Sequence, residues 1–474
     1  MLSSLREFES ELRGSGVRSI SRCTNLNLAG GSLTLAVLRM HGDLIGGLAT
    51  PDFWVLSRRD QCDLRKPSQE CCNSGTKKTF PSDILQSFTF TVHSSDLPLL
   101  QVKMATHLAA LCPGKGQPFQ IQPRSTPKPG PDELLIAVKS VALNPADIIM
   151  RDQGLFITEY PTVLGFDMSG LVLDLGENVP VGDDGFQPGT RVAAYSASAW
   201  KGCAPDYGPF QERCLVPWQH AVRLPGQNMS WNHAATLPVS VQVPLSAWDM
   251  MGIPRMDDKA SSDDSQDDDR VEKKEALLIW GASSSIGTMG VQTARLMCQD
   301  PKSPFAAVYA TSGPTNHEYI RSLGADRAFN YKDPKAVESI VSAAKEDGLV
   351  IRHCFLATGQ LSLCQAVLKE FVDLSPAEGK TTAKIGSAPW IPADAQDVDG
   401  VEVIFVMPST VEEERLEQFK YWIGTYLRKH LSNGSIRPSP EPTVVGNGLD
   451  FINSALEKMS QGVSCTKLVV EVGE

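Results

Sequence analysis

The sequence predicts an α/β chain, with an irregular β-barrel-like region followed by a parallel sheet covered by helices. Two observations carry this. Between residues 130 and about 225, short apolar runs (LLIAVKSVAL, SGLVLDLG, RVAAYSA, CLVPW, AVRLP) are separated by Gly and Pro turns, the spacing of a small barrel. From residue 235 onward, strand-like and helix-like runs alternate, and that alternation calls for parallel pairing through right-handed crossovers.

In chain order, residues 1–103 read as an extension outside the fold, with poor periodicity, adjacent Cys71 and Cys72, and SFTFTV at 87–92 as the best local strand. The texture changes at Met104, a candidate translation start. Residues 104–235 form the barrel domain, which 432–474 completes, and 236–431 form the parallel-sheet domain. Within the latter, LLIWG precedes the helix GVQTARLM. FAAVYAT, RAFNY, VIRHCFLAT and VEVIFVMPS read as strands, HEYIRSLG and AVESIVSAAK as helices. A helix around 411–431, the helix GLDFINSALEKM and the strand TKLVVEV follow. Residues 257–269 hold seven aspartates against one lysine, too polar to pack, so 255–275 is expected as a disordered surface loop.

Composition narrows the function classes. A formal charge of -11 argues against a nucleic-acid binder. Eleven scattered cysteines without any C-x-x-C indicate neither a disulfide framework nor a zinc ribbon. The apolar-leaning run 26–56 is broken by Arg39, His41 and Asp43, so no membrane span is expected and a cytoplasmic location is.

The chemistry starts at LLIWGASSSIGTMGVQTARL, residues 277–296. A strand breaks at Gly281 and a helix pattern follows, as in a dinucleotide-binding turn, but the slots of G-x-G-x-x-G read Ala282, Ser284, Gly287. Ser284 prevents the closest approach of backbone to phosphate. The hydroxyls of Ser283, Ser284, Ser285 and Thr288 are expected to donate instead. The next strand ends ATSGPTNHEY, with no acid before Glu318. A carboxylate there would select NADH. Hydroxyls, an amide and nearby Arg321 suit the 2′-phosphate of NADPH.

Several segments resemble the medium-chain dehydrogenase/reductase superfamily: LNPAD (143–147), LGFDMSG (164–170), PGTRVAAY (188–195), GPFQERCLVP (208–217), AATLPVSVQVPLSAW (234–248), the Ser-rich turn, SLGADRAFNY (322–331) and GVSCTKLVVEV (462–472). The resemblance runs from about residue 104 to the C-terminus. It implies a GroES-like catalytic barrel and a Rossmann-type cofactor domain. It also implies a zinc-free branch: Asn144 stands where zinc alcohol dehydrogenases have a cysteine ligand, and Phe166 where they have a histidine. The chain looks similar to quinone-oxidoreductase-like reductases and fungal trans-acting enoyl reductases. Their NADPH contacts fall on Asn144, Ser284, Ser285, Ile286, Gly287, Thr288, Gly313, Thr315, Asn316, Tyr331, Leu356, Ala357, Val463 and Ser464. One departure is Ile149, where lovastatin-type enoyl reductases have a lysine.

The implied function is NADPH-dependent reduction of an activated C=C bond in an enoyl thioester, enone or quinone, in fungal secondary metabolism. The substrate is a small molecule or carrier-bound acyl group, with a polyketide synthase as a partner, and the protein is a monomer or homodimer. Such a substrate's own carbonyl takes the charge, so the protein need only orient, exclude water and supply a donor. Asn144, Tyr195 and Tyr207 are donor candidates, and no general acid is assigned. Asp147 is expected to order the turn after Asn144–Pro145, and Asp167 to brace the barrel. A zinc-free dehydrogenase or reductase of a carbonyl or alcohol, and a non-catalytic binding member of the fold, are the alternatives.

Overall fold

The computed structural model describes residues 105–182, 185–256, 272–372 and 382–473, and the backbone of three N-terminal strands. Those strands, β1 (Ser19–Leu28), β2 (Gly31–Arg39) and β3 (Phe53–Arg58), form an antiparallel sheet in the order β1-β2-β3. They belong to a separate unit, Met1–Pro98. The sequence reading missed them, although alternation on either side of Gly30–Gly31 is a hairpin signal. SFTFTV, Met104 and residues 257–271 lie outside the described residues.

In the second unit the barrel elements come first: β4 (Thr106–Cys112), β5 (Gln120–Ser125), β6 (Glu133–Ala142), α1 (Pro145–Gln153), β7 (Thr162–Val163), β8 (Asp167–Leu175), β9 (Arg191–Tyr195), β10 (Arg213–Pro217) and β11 (Ala221–Arg223). Helices α2 (Trp231–Ala235) and α3 (Leu237–Met251) cross to the parallel sheet. There β12 (Glu275–Trp280), α4 (Ser285–Gln299), β13 (Phe305–Ser312), α5 (His317–Ser322), β14 (Arg327–Asn330), α6 (Ala336–Glu346), β15 (Val350–Leu356), α7 (Leu361–Lys369), β16 (Ala383–Ser387) and β17 (Val401–Phe405) alternate. The chain ends with α8 (Glu412–Phe419), a π-helical stretch Lys420–Leu427, α9 (Arg428–Ser432), β18 (Pro442–Asn447), α10 (Phe451–Ser460) and β19 (Lys467–Glu471).

The barrel sheet runs β11-β9-β8-β6-β19-β18, with β10 also on β6, and a small sheet β5-β4-β7 stands beside it. Strand β6 has neighbours β8, β10 and β19, so it is apolar and buried along most of its length. Gly170 lies opposite Val138 in β6, and a Cβ there would meet the Ala137 carbonyl oxygen at 2.0 Å. Only a glycine lets β8 approach this closely.

The second sheet is wholly parallel, in the order β14-β13-β12-β15-β16-β17. Counted from β12 this is the doubly wound 3-2-1-4-5-6 arrangement, whose ligand crevice opens at the strand C-termini where the order reverses, here between β12 and β15. Helix α3 joins the two halves. Its Trp248 indole donates to Thr293 Oγ1 of α4 at 3.1 Å, and its Val239 N–H donates to Asp167 Oδ1 of β8 at 2.7 Å. The helix expected around 411–431 is present, but its middle is π-helical, and Trp422 in that stretch donates to Asp249 Oδ2 of α3 at 2.9 Å. The sequence reading missed β16 and α7, whose runs are short and whose boundary lies near residues 373–381, outside the described residues.

Gly170→Ala tests the close β6–β8 approach. Urea unfolding should show a loss of about 1–3 kcal/mol at unchanged m value. A loss below about 0.5 kcal/mol would contradict the contact.

Candidate functional site

All of the sequence-predicted cofactor residues except Asn144 lie along the C-terminal edge of the parallel sheet. Strand β12 ends at Trp280, and Gly281 turns the chain at φ +79. Ser284 then caps α4: its hydroxyl accepts from the Gly287 N–H at 3.1 Å and donates to the Gly281 carbonyl at 2.9 Å. A Cβ on Gly287 would meet the Gly281 oxygen at 2.3 Å, so glycine is needed where the helix start folds onto the strand end. Gly290, one turn on, lies against Phe355 of β15.

This corrects one expectation. The Ser284 hydroxyl is used inside the turn, and the Thr288 hydroxyl is buried and donates to the Ser285 carbonyl at 2.8 Å. Of the four hydroxyls expected to face a phosphate, only those of Ser283 and Ser285 are uncommitted among the described residues. What the turn does offer is backbone: the N–H groups of Ser283, Ser285 and Ile286 donate to no acceptor among the described residues, at the half-buried start of α4. Ser284 therefore fixes the geometry of the helix start by capping it. These residues fit the diphosphate of a dinucleotide.

The other predicted contacts line up along the same edge. Gly313 follows β13, and a Cβ there would meet nothing within 4 Å, so space adjoins it. Thr315 is exposed beside it, and Tyr331 follows β14, whose Asn330 pairs with Ser312. Asn316 Nδ2 donates to Ser464 Oγ at 3.2 Å, which joins two segments that the sequence places 148 residues apart, with Val463 exposed alongside. Leu356 and Ala357 end β15 beside Trp280, and the Ala357 N–H donates to the Trp280 carbonyl at 2.9 Å. Arg321 is exposed on α5.

Asn144 differs from the rest. It is buried in the barrel, where its Nδ2 donates to Asp167 Oδ2 at 3.0 Å and its Oδ1 accepts from Lys467 Nζ at 2.6 Å. Lys467 Nζ also lies 3.1 Å from Asp167 Oδ2, and both side chains are buried. The amide is thus oriented by its partners, since an ammonium only donates and a carboxylate only accepts. Its second N–H is directed at the Ala142 carbonyl at 3.4 Å, so Asn144 is a strut whose polar atoms are all turned to the barrel. Tyr207, too, is engaged elsewhere, donating to Glu133 Oε1 at 2.7 Å. Tyr195, opposite Asp167 in β9, has a hydroxyl without a hydrogen bond among the described residues. Burial pushes its phenol up, and the Asp167 charge adds to that, so it stays protonated at neutral pH.

Sequence reasoning missed Lys467. The available signal was a lone cation opening the apolar run LVVEV. Asp147 does order its turn, accepting from the Asn144 N–H at 2.7 Å, while its other oxygen is buried without a partner. Burial is the main force raising both carboxyls, and Asp147 is pushed up to about 8. Asp167, with donors Val239, Asn144 and Lys467, is the member that stays ionised. Among the described residues no three His, Cys, Asp or Glu side chains converge as a metal-ligand set, and no helix is long and apolar enough to cross a membrane.

Lys467→Met leaves the buried Asp167 carboxylate without its cation and should cost about 3–5 kcal/mol in denaturant unfolding. Asp167→Asn in the same chain should recover part of that, and a single-variant cost under about 1 kcal/mol would contradict the pairing. A pH effect follows from Asp147. Its unfolded value is 3.8 and its folded value about 8, so the folded state holds the extra proton between them. Stability therefore falls as pH rises through that window. Asp147→Asn should flatten the slope in unfolding curves taken from about pH 5 to about pH 8, and parallel slopes for the two proteins would contradict the assignment.

Comparison with known proteins agrees with this geometry. An alcohol dehydrogenase GroES-like domain matches residues 130–226. The chain is 37% identical to the trans-enoyl reductase tndF of Aspergillus flavipes over 77% of this chain and 98% of that protein. It is 38% identical to the trans-enoyl reductase tazE of Aspergillus terreus over 66% of this chain and 95% of that protein. An alcohol dehydrogenase superfamily protein from Novosphingobium aromaticivorans has the same fold, with a TM-score of 0.59 at 18% identity over 77% of this chain and all (100%) of that one. CurK enoyl reductase gives a TM-score of 0.55 at 18% identity over 78% and 99%. The chain belongs to the medium-chain dehydrogenase/reductase superfamily of nicotinamide-dependent oxidoreductases, alongside its trans-enoyl reductases.

Proposed function

We propose that the protein is an NADPH-dependent, zinc-independent reductase of an activated carbon–carbon double bond, above all an enoyl thioester, acting in trans on chains built by a fungal polyketide synthase. The observation that carries this reading is the Asn144–Lys467–Asp167 cluster. Asn144 is committed to a buried ammonium, and Phe166 cannot ligate, so the donors here do not fit a catalytic zinc. Carbonyl–alcohol interconversion relies on a Lewis acid at this position in the zinc enzymes. A conjugated double bond brings its own carbonyl to take the charge. The names of two relatives above 30% identity support the same reaction class.

The preference for NADPH rests on the end of β13. The strand finishes with Thr311 and Ser312 and no carboxylate, and Asn316, Ser464 and exposed Arg321 stand nearby. A bound nicotinamide nucleotide supplies the hydride. The chain binds the diphosphate at the turn before α4 and holds the substrate against the sheet edge. Tyr195, whose ring packs against Phe166, Trp200 and Phe419 and whose hydroxyl makes no hydrogen bond among the described residues, is the donor assigned to the forming enolate oxygen.

Nucleotide binding and turnover test this together. Calorimetry should show NADPH bound at least about tenfold more tightly than NADH, with the difference reduced by Arg321→Ala. The enzyme should then consume NADPH with enoyl thioesters and enones but not with simple ketones. Ketone reduction alone favours the carbonyl reductase alternative, and indifference to both nucleotides leaves a non-catalytic member of the fold.

A further inference from the structure

A cavity of about 620 Å³ opens beside the cofactor edge and is not part of the phosphate-binding turn. It starts at Leu356 and Ser387, the C-terminal ends of β15 and β16, next to the crevice between β12 and β15. One wall is a single face of α7, with Ser362, Gln365 and Lys369 spaced one helical turn apart. The opposite wall is the segment between β16 and β17, including Trp390 and Gln396. Its volume falls within the roughly 300–1,000 Å³ range of small-molecule sites.

The walls are built and held. Gln365 is buried, and its Nε2 donates to the Gln396 carbonyl at 2.8 Å, which pins the segment to α7 and leaves the Gln365 carbonyl as an acceptor in the wall. The Ser387 hydroxyl donates to the Pro389 carbonyl at 2.8 Å and fixes the turn into the segment. Trp390 stacks on Phe405 of β17, with ring centres 4.5 Å apart and planes 10° from parallel, yet remains 57% exposed. One indole face is therefore supported from below and the ring offers a flat apolar surface above.

The lining also says what the occupant is not. It carries one cation, Lys369, and one anion, Asp394, among amides and two hydroxyls, so it does not suit a phosphate or a carboxylate cluster. It suits a long uncharged chain punctuated by amide groups. We infer that this cavity receives the pantetheine arm of the acyl thioester substrate, with amide groups meeting Gln360, Gln365 and Ser362 and the chain lying on Trp390, while the thioester end reaches the sheet edge at Leu356 and Ser387. This rests on the enoyl thioester reading above. Coenzyme A and a carrier protein present the same arm, and the cavity recognises what they share.

The test compares one enoyl group carried on pantetheine, on coenzyme A, on a carrier protein and on N-acetylcysteamine, which lacks most of the arm. Trp390→Ala and Gln360→Ala should raise KM for the first three about fivefold, at unchanged kcat and NADPH affinity, and leave the N-acetylcysteamine thioester untouched. Equal effects on all four carriers, or an effect confined to the carrier protein, would overturn the inference. If the wild type reduces no thioester at all, the reductase reading fails separately. The cavity is then decided by saturation-transfer NMR with pantetheine: binding lost in Trp390→Ala upholds it, and no binding to the wild type overturns it.

Discussion

The structure hinges on one buried ammonium. Lys467 enters the barrel from the last strand and meets Asp167 and Asn144, which come from β8 and the residue before α1. Asp167 in turn accepts from the first turn of α3, the helix that leads into the parallel sheet. A single charge pair thereby ties the end of the chain, the barrel wall and the inter-lobe helix into one arrangement. In a low-dielectric interior such a pair does little for net stability against an apolar replacement, but it penalises every arrangement in which one partner is missing. It specifies geometry more than it adds strength.

That geometry has a chemical consequence. Where the zinc enzymes of this superfamily keep a metal, this chain holds the residue matching the first ligand in a closed hydrogen-bonded cluster. The second partly titrating group, Asp147, lies close by with an unpartnered oxygen, so the barrel interior carries little free charge at neutral pH. A neutral, water-poor wall suits a reaction in which the substrate supplies its own electron sink. The C-terminal edge of the parallel sheet is separately organised, by glycines that let α4 close onto β12 and by a serine that caps that helix.

Much of the fold was legible in the sequence because alternation of period two and period 3.6 survives in single segments. LLIWG, FAAVYAT, VIRHCFLAT and TKLVVEV are strands as read. The turns at the sheet edge were also legible as segments, since turn chemistry at Gly281–Gly287 and Gly313–Asn316 is local. What stayed hidden is what depends on distant pairing. The role of the Ser284 hydroxyl was misassigned because capping and ligand binding ask for the same residue type at a helix start. Lys467 went unnoticed because its partners are Asn144 and Asp167, hundreds of residues away in the chain. The π-helical stretch at 420–427 gives no separate signal, since its apolar spacing reads as an ordinary helix.

The central claim, that a protein ammonium and not a metal organises the catalytic barrel, is tested most directly by metal analysis joined to activity. Purified enzyme assayed for enoyl reduction before and after exhaustive treatment with a strong chelator should keep its full rate, with bound zinc far below one equivalent per chain. Loss of activity on chelation and its return on adding zinc would contradict the account.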